Sequence, residues 1–306
     1  MNREKLKRLF HRIVPENRRE GIKAKYVRVT GWINRLFCTL FDKDQFLYCQ
    51  ADGISYIGTS KDGGVFRNML SSKCNWAKEE MDIYYNLVEK FYGNKKKLNS
   101  GYFLDIGANI GSTFIYFKLK KTSNIKVLAF EPDSDNYTLA KVNAILNNVD
   151  RDVVIEKLGV GEGGGTAVLY KHPENPGGNS IVNSPTSISE SINMVSIDDY
   201  LESKNIEKDE ITYIWIDTEG YEPFVLFGAK DLISSTDIPL FMEFNPQVYK
   251  QFDGVFERMV QMLEKSYKKY IMVREVENGN YCEHRIEELY SMKGMDKQQG
   301  DIVFLN

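Results

Sequence analysis

From about residue 98 onward, short apolar runs alternate with longer stretches whose apolar residues recur every three or four positions. That alternation of periods is the mark of strands and helices feeding a mostly parallel α/β sheet. Tyr102, Phe103 and Leu104 form a first strand ending at Asp105, and residues 111–120 read as a helix. Residues 127–130 form a second strand that ends in Glu131-Pro132. A helix over 134–147 follows, carrying Tyr137, Leu139, Ala140, Val142 and Leu146, and a third strand at 153–158. Residues 159–165 are a glycine turn, 166–170 a hairpin arm, and 172–189 a Pro/Gly/Asn/Ser loop without periodicity. Loops of that length in compact domains are more often functional than idle. Residues 195–201 lead into an acidic helix start at Asp198-Asp199. The fourth strand, 211–216, is β-branched and aromatic throughout and ends at Asp217. Thr218-Glu219-Gly220 makes the next turn, and Pro223 suits the first turn of a helix. A fifth strand at 238–244 carries Glu243 at its end. One helix over 248–265, a strand at 270–274, a turn at 277–279 and a last strand at 302–305 complete the pattern.

The stretch before residue 98 has a different pattern. Residues 45–50 and 54–59 predict a hairpin around Ala51-Asp52-Gly53, and 76–92 a helix turning Trp76, Ile83, Leu87 and Phe91 toward a core. Lys95-Lys96-Lys97 reads as a solvated connector. The chain therefore divides into an N-terminal extension, 1–98, expected to cap a site or meet a second subunit, and a main domain, 99–306. At the start, Leu6, Leu9, Phe10, Ile13 and Val14 recur at helical spacing among basic residues. This amphipathic helix could rest on an anionic membrane surface. Base rates favour packing on its own domain or on a homo-oligomeric partner.

Composition narrows the class. The 306 residues suffice for a sizeable core, and a net charge of −3 with 27% charged residues does not mark a nucleic-acid-binding protein. Cys38, Cys49, Cys74 and Cys282 lack C-x-x-C spacing, which favours free thiols in a cytoplasmic setting over a disulfide frame or zinc site. No apolar run approaches the ~20 residues of a membrane span, and the N-terminus lacks the apolar core of a secretory signal. His11 and His284 have no metal-ligand spacing with another His or Cys.

The candidate chemistry centres on residues 101–111. A buried strand delivers Asp105 into a turn containing Gly107, Ala108 and Asn109, and Gly111 opens a helix. Such a turn at a helix N-terminus suits a small polar cofactor. The dinucleotide fingerprint G-x-G-x-x-G is absent. Asp105 would repel a pyrophosphate but suits a cationic group such as the amino group of a methionine moiety. S-adenosylmethionine (SAM) therefore fits better than a nicotinamide dinucleotide. Glu131, one strand–helix–strand unit further on, is spaced to accept hydrogen bonds from ribose hydroxyls. Asp105, Glu131, Asp217 and Glu243 all end strands, so all fall on the sheet edge where ligands bind. Singly, each could instead cap the helix that follows.

The motifs Phe103-Leu104-Asp105-Ile106-Gly107-Ala108-Asn109-Ile110-Gly111, Phe130-Glu131-Pro132 with Asn136-Tyr137 and Asn143, Ser196-Ile197-Asp198-Asp199-Tyr200-Leu201, Trp215-Ile216-Asp217-Thr218-Glu219-Gly220-Tyr221-Glu222 and Gly228-Ala229 resemble the FkbM-type SAM-dependent methyltransferases. The resemblance spans about 105–243. It implies a class I methyltransferase (Rossmann-like) fold, a seven-stranded sheet with its last strand antiparallel and helices on both faces. It also implies methyl transfer to a hydroxyl, often of a sugar, glycan or secondary metabolite. Asp105, Gly107, Ala108, Asn109 and Gly111 then match the cofactor loop, and Glu131 with Pro132 and Asn136 the ribose side. Trp215 stands where a lysine or other polar residue is common, so no role is carried over for that lysine.

An alcohol attacking a sulfonium methyl needs alignment and a base. Asp217 and Glu219 are the candidates, either as base and orienting group or as ligands of a divalent cation that acidifies the hydroxyl. Their plain alternative is a helix cap and a surface ion pair. His172, Asn179, Ser180 and Glu243 are candidate acceptor contacts, each with an ordinary structural alternative. Two competing functions stand beside this one: a nicotinamide-dependent oxidoreductase on a related sheet, and a non-catalytic SAM-binding module.

Overall fold

The computed structural model describes residues 45–93, 98–182, 188–235, 237–277, 279–293 and 300–306. The basic segment around residues 6–14, His11, Cys38 and the Lys95–Lys97 connector lie outside them. Strands β1 (Phe46–Ala51) and β2 (Ile54–Thr59) form the expected hairpin, with Asp52 and Gly53 in the left-handed conformation that a tight turn requires. Helices α1 (Val65–Ser72) and α2 (Lys78–Tyr92) follow. The alternating unit then runs β3 (Tyr102–Ile106), α3 (Ser112–Lys120), β4 (Lys126–Phe130), α4 (Ser134–Leu146) and β5 (Val153–Glu156). A side sheet consists of β6 (Gly159–Val160), β7 (Gly165–Tyr170) and β8 (Ser189–Val195). Beyond it come α5 (Ile197–Lys204), β9 (Ile211–Ile216), α6 (Glu222–Gly228), α7 (Lys230–Ser235) and β10 (Leu240–Phe244). Last are α8 (Pro246–Tyr249), α9 (Val255–Ser266), β11 (Lys269–Met272), β12 (His284–Arg285) and β13 (Gly300–Leu305).

The main sheet has the order β12-β11-β13-β10-β9-β3-β4-β5. β3, β4, β5, β9 and β10 are mutually parallel, and β13 is inserted antiparallel between β10 and β11. This is the expected seven-stranded arrangement with a two-residue edge strand, β12, added. The chain walks outward from β3 through β4 to β5, then returns to β9 on the other side. The switch point, where ligands bind in open α/β sheets, therefore lies between β3 and β9. Every residue of β9 is buried, as a central strand covered on both faces must be. Among the described residues, no helix is long and apolar enough to cross a membrane.

Two hydrophobic clusters cover the faces. One joins Phe103, Tyr213, Trp215 and Phe241 to α2, α3, α4 and the hairpin. The other joins Leu104, Ile214 and Met242 to α5, α6, α7 and α9. The extension thus shares a core with the sheet. Tyr84 of α2 is fully buried, its hydroxyl donating to the Pro239 carbonyl at 2.8 Å and accepting from the Ile214 N–H at 3.2 Å. Asn143, equally buried, donates to the carbonyls of Ile57 (3.1 Å) and Ile110 (2.9 Å) and accepts from the Ile57 N–H (2.7 Å). One side chain thereby ties hairpin, α4 and glycine turn together.

Several elements depart from the sequence reading, among them β8, α7 and β12, which it did not contain. α1 was not expected, although Asp62 starts it by accepting the N–H groups of Gly64 and Phe66. The glycine turn at 159–165 contains β6, whose two residues pair in parallel with the end of β8. The single helix over 248–265 is two, divided before Gly254, which adopts φ 69°.

Replacing Tyr84 by Phe leaves the Ile214 N–H buried without an acceptor, which costs about 1–3 kcal/mol. Thermal unfolding of Tyr84→Phe is expected several degrees lower with unchanged far-UV circular dichroism. An unshifted midpoint would show that this bond is not structural.

Candidate active site

The turns after β3, β4 and β9 and the end of β10 enclose a cavity of about 400 Å³. The turn after β3 is built by backbone geometry. Gly107 (φ 93°), Asn109 (φ 51°) and Gly111 (φ 85°) are left-handed, and the N–H groups of Gly107 and Ala108 both donate to the Phe130 carbonyl at 3.0 Å. A Cβ on Gly107 would lie 1.8 Å from the Asp217 carbonyl oxygen, so only glycine lets the two central turns meet. Glu131, almost fully buried, accepts from the Asn109 N–H and the Asp133 N–H, both at 2.8 Å. Each of its oxygens keeps a second lone pair.

Gly107, Asn109, Glu131, Pro132, Asn136, Asn179, Asp217, Glu219 and Glu243 all line the cavity. Asp105, Ala108, Gly111, His172 and Ser180 do not. Asp105 is fully buried just before the turn, with both carboxylate oxygens out of contact with solvent. Ala108 and Gly111 shape the turn, Gly111 standing immediately before α3. His172 is exposed, and its Nδ1 accepts from the N–H groups of Glu174 (3.2 Å) and Asn175 (3.0 Å). That leaves the ring closing its own turn, away from the cavity. Ser180 donates to the Glu219 carbonyl at 2.9 Å, and Asn179 donates to Asp133 at 3.2 Å. The long loop is thus latched across both halves of the sheet edge, with Asn175, Pro176 and Gly177 facing the cavity.

Several lining residues escaped the sequence reading. Val65, Trp76, Ala77 and Glu80 come from the extension, and Asp301 comes from β13. Glu222, quoted in a motif but given no role, is fully buried behind the β9 turn. Its Oε1 accepts from the N–H groups of Thr218 (2.9 Å) and Gly220 (3.0 Å) and from the Thr218 hydroxyl (3.0 Å). Tyr249 donates to its Oε2 at 2.8 Å. This carboxylate fixes the turn that holds Glu219 at φ 53°, an uncommon conformation for a side chain of that size.

The methyltransferase FkbM domain profile matches residues 105–271, more than half of the chain. The chain belongs to the FkbM methyltransferase family. Among solved structures, methyltransferase FkbM from Methylobacillus flagellatus is 17% identical with TM-score 0.43, the alignment covering 79% of this chain and 52% of that one. The O-methyltransferase from Bacillus cereus, solved with SAH, is 13% identical with TM-score 0.41, covering 74% and 80%. This chain therefore spans about half the length of the Methylobacillus protein. No curated protein matches it.

In this member of the FkbM methyltransferase family the site is electrostatically one-sided. Burial pushes Asp105 up to about 7, opposed by the Phe114 N–H, and Glu131 to about 8 with Asp133 and Asp105 adding to the shift. Asp217 is raised well above the usual carboxylate range by burial and by Glu243, Glu219, Asp301 and Glu222 around it. Glu219 is raised to about 7 by burial and by Glu222. Neither Asp217 nor Glu219 is tied by its carboxylate to another described residue. Among the described residues, no group of three or more His, Cys, Asp or Glu is arranged to hold a metal ion.

A carboxyl whose pKa is higher folded than unfolded destabilises the fold as pH rises above its unfolded value. At low pH both states are protonated and the penalty vanishes. Near neutrality it is present, at about 1.4 kcal/mol for every tenfold loss of acidity on folding. Asp217→Asn is accordingly expected to raise the melting temperature at pH 7.5 by a few degrees, with the gain disappearing near pH 4. Differential scanning calorimetry at the two pH values checks this. A variant no more stable than wild type at pH 7.5 would remove the claimed strain.

Proposed function

We propose that this methyltransferase uses SAM to methylate a hydroxyl oxygen of a small acceptor, such as a sugar, glycan unit or secondary metabolite. The observation that carries the reading is the pair Asp217 and Glu219. Both carboxylates face the cavity without a partner among the described residues, beside the turn of Gly107 and Asn109. The donor set fits the cofactor. Glu131 retains lone pairs for ribose hydroxyls, and Asn109 Oδ1 is buried without a hydrogen-bond partner, an acceptor waiting for a donor. Pro132 and Asn136 extend the same wall.

When bound, SAM supplies a sulfonium methyl that an oxygen can displace in line. Glu219 takes the proton from the acceptor O–H as the new O–CH3 bond forms. Of the pair, it is the carboxylate whose pKa, about 7, is matched to this task. Asp217, raised well above the usual carboxylate range by burial and then by its acidic neighbours, orients the acceptor oxygen. The latched loop and the extension keep water from that oxygen.

Two variants and a pH profile test this. Glu131→Ala is expected to weaken SAM binding about tenfold or more by isothermal titration, and unchanged affinity in a folded variant would reject the ribose assignment. Glu219→Gln is expected to slow turnover roughly 10²–10⁴-fold with smaller loss of SAM affinity. In the wild type, kcat should rise with pH through a limb near 7, because Glu219 acts only when ionised. A screen with labelled SAM, run with and without divalent metal and chelator, supplies the turnover readouts. A flat profile from pH 6 to 8 would move the base elsewhere. SAM binding without methyl transfer to any acceptor would favour the non-catalytic module.

A further inference from the structure

The cavity extends past Asp217 to a wall that the proton transfer does not use. Glu243 of β10 and Asp301 of β13 are directly opposed in an antiparallel register, so their side chains leave the same face of the sheet. Both line the cavity. Like charges at directly opposed positions destabilise a strand pair. Glu80, in the first turn of α2, faces the same space, and one of its carboxylate oxygens is out of contact with solvent without a hydrogen-bond partner. An acid in a first helical turn is favoured by the helix dipole, and Asp301 faces it, raised to about 6 by burial and by Glu80. Among the described residues lining the cavity there is no Lys, Arg or His. The neutral part of this wall is aromatic. Trp215 and Phe241 are stacked with ring centroids 3.4 Å apart, and Trp76 stands half-exposed at its edge.

Carboxylates gathered beside aromatic rings, in a space whose described lining holds no cationic side chain, form the surface that recognises an organic cation. We propose that the wall of Glu80, Glu243 and Asp301 receives a protonated amine of the acceptor. The methyl acceptor is then a hydroxylated amine, such as an amino sugar or aminocyclitol, and not a nucleotide sugar or other phosphorylated molecule. This rests on reading the cavity as the methyl-transfer site. Phosphate groups would enter a cavity with six acidic side chains, Glu80, Glu131, Asp217, Glu219, Glu243 and Asp301, and no cation among its described lining.

The test uses the full chain. SAM binding is measured first by isothermal titration. The protein loaded with S-adenosylhomocysteine is then titrated with amino sugars and aminocyclitols, each paired with its N-acetylated form, and with nucleotide sugars. Cationic members are expected to bind about tenfold or more tighter than their neutral pairs, with the difference shrinking as salt rises. Glu80→Gln should remove most of that difference while leaving the neutral pairs unchanged. Asp301→Asn should act likewise, and retained SAM binding reports that each variant is folded. Equal or tighter binding of the N-acetylated or nucleotide forms overturns the proposal, as does binding of no cationic member. Absence of SAM binding by the wild type overturns the methyl-transfer reading instead.

Discussion

The contact between Gly107 and the Asp217 carbonyl is the constraint on which the site depends. β3 and β9 are neighbours in the sheet but their following helices pack on opposite faces, so their turns must part at the switch point. They can do so only if the backbone of one comes against the carbonyl of the other, where a Cβ would be 1.8 Å away. Everything around this approach holds it shut. The Phe130 carbonyl fixes one turn from its side, and Glu222 fixes the other from behind. Glu131 then clips the first turn to the start of α4, and Ser180 brings the long loop down onto the second. The cavity opens beside this contact and is lined by both turns.

The same arrangement explains the division of labour among the acids. Glu222 is deep in the protein but satisfied by four donors, so it can be structural. Asp217 and Glu219 have burial without donors, so their charges are costly and both are raised above the usual carboxylate range, Glu219 to about 7. A group in that condition is poised for proton transfer, at the expense of stability. The neighbouring strand pair adds two more acids, Glu243 and Asp301, whose proximity is forced by sheet register.

The framework was legible because its signals are local. Apolar alternation located the strands, and an acid at a strand end needs no tertiary knowledge to be placed on the ligand-binding edge. Glu131, Asp217, Glu219 and Glu243 reach the cavity for that reason. What failed to show in the sequence depends on packing. β8 has only Ile192 fully buried and lacks a clear two-residue period, so its pairing with β6 was invisible. Asp105 obeys the strand-end rule, yet it lies within β3 and is fully buried. His172 sits in the right loop, but the loop's own turn consumes its ring nitrogen. Glu80 and Asp301 are far from the motifs and are brought in by α2 and the antiparallel β13.

That last difference has a consequence for specificity. The cofactor side of the cavity is made by short turns between adjacent strands, where sequence spacing and spatial neighbourhood coincide. The far side is made by the extension, the long loop and the terminal strand, which are distant in sequence and meet only in the folded protein, as where the Gly63 N–H donates to the Glu174 carbonyl at 2.7 Å. α2 can present Glu80 because Tyr84, less than two turns along the same helix, is bolted to β9 and to the segment entering β10. The extension is therefore a wall of the site, fixed by the same core as the sheet. A change in its packing would alter what the cavity accepts while leaving the glycine turn and Glu131 intact.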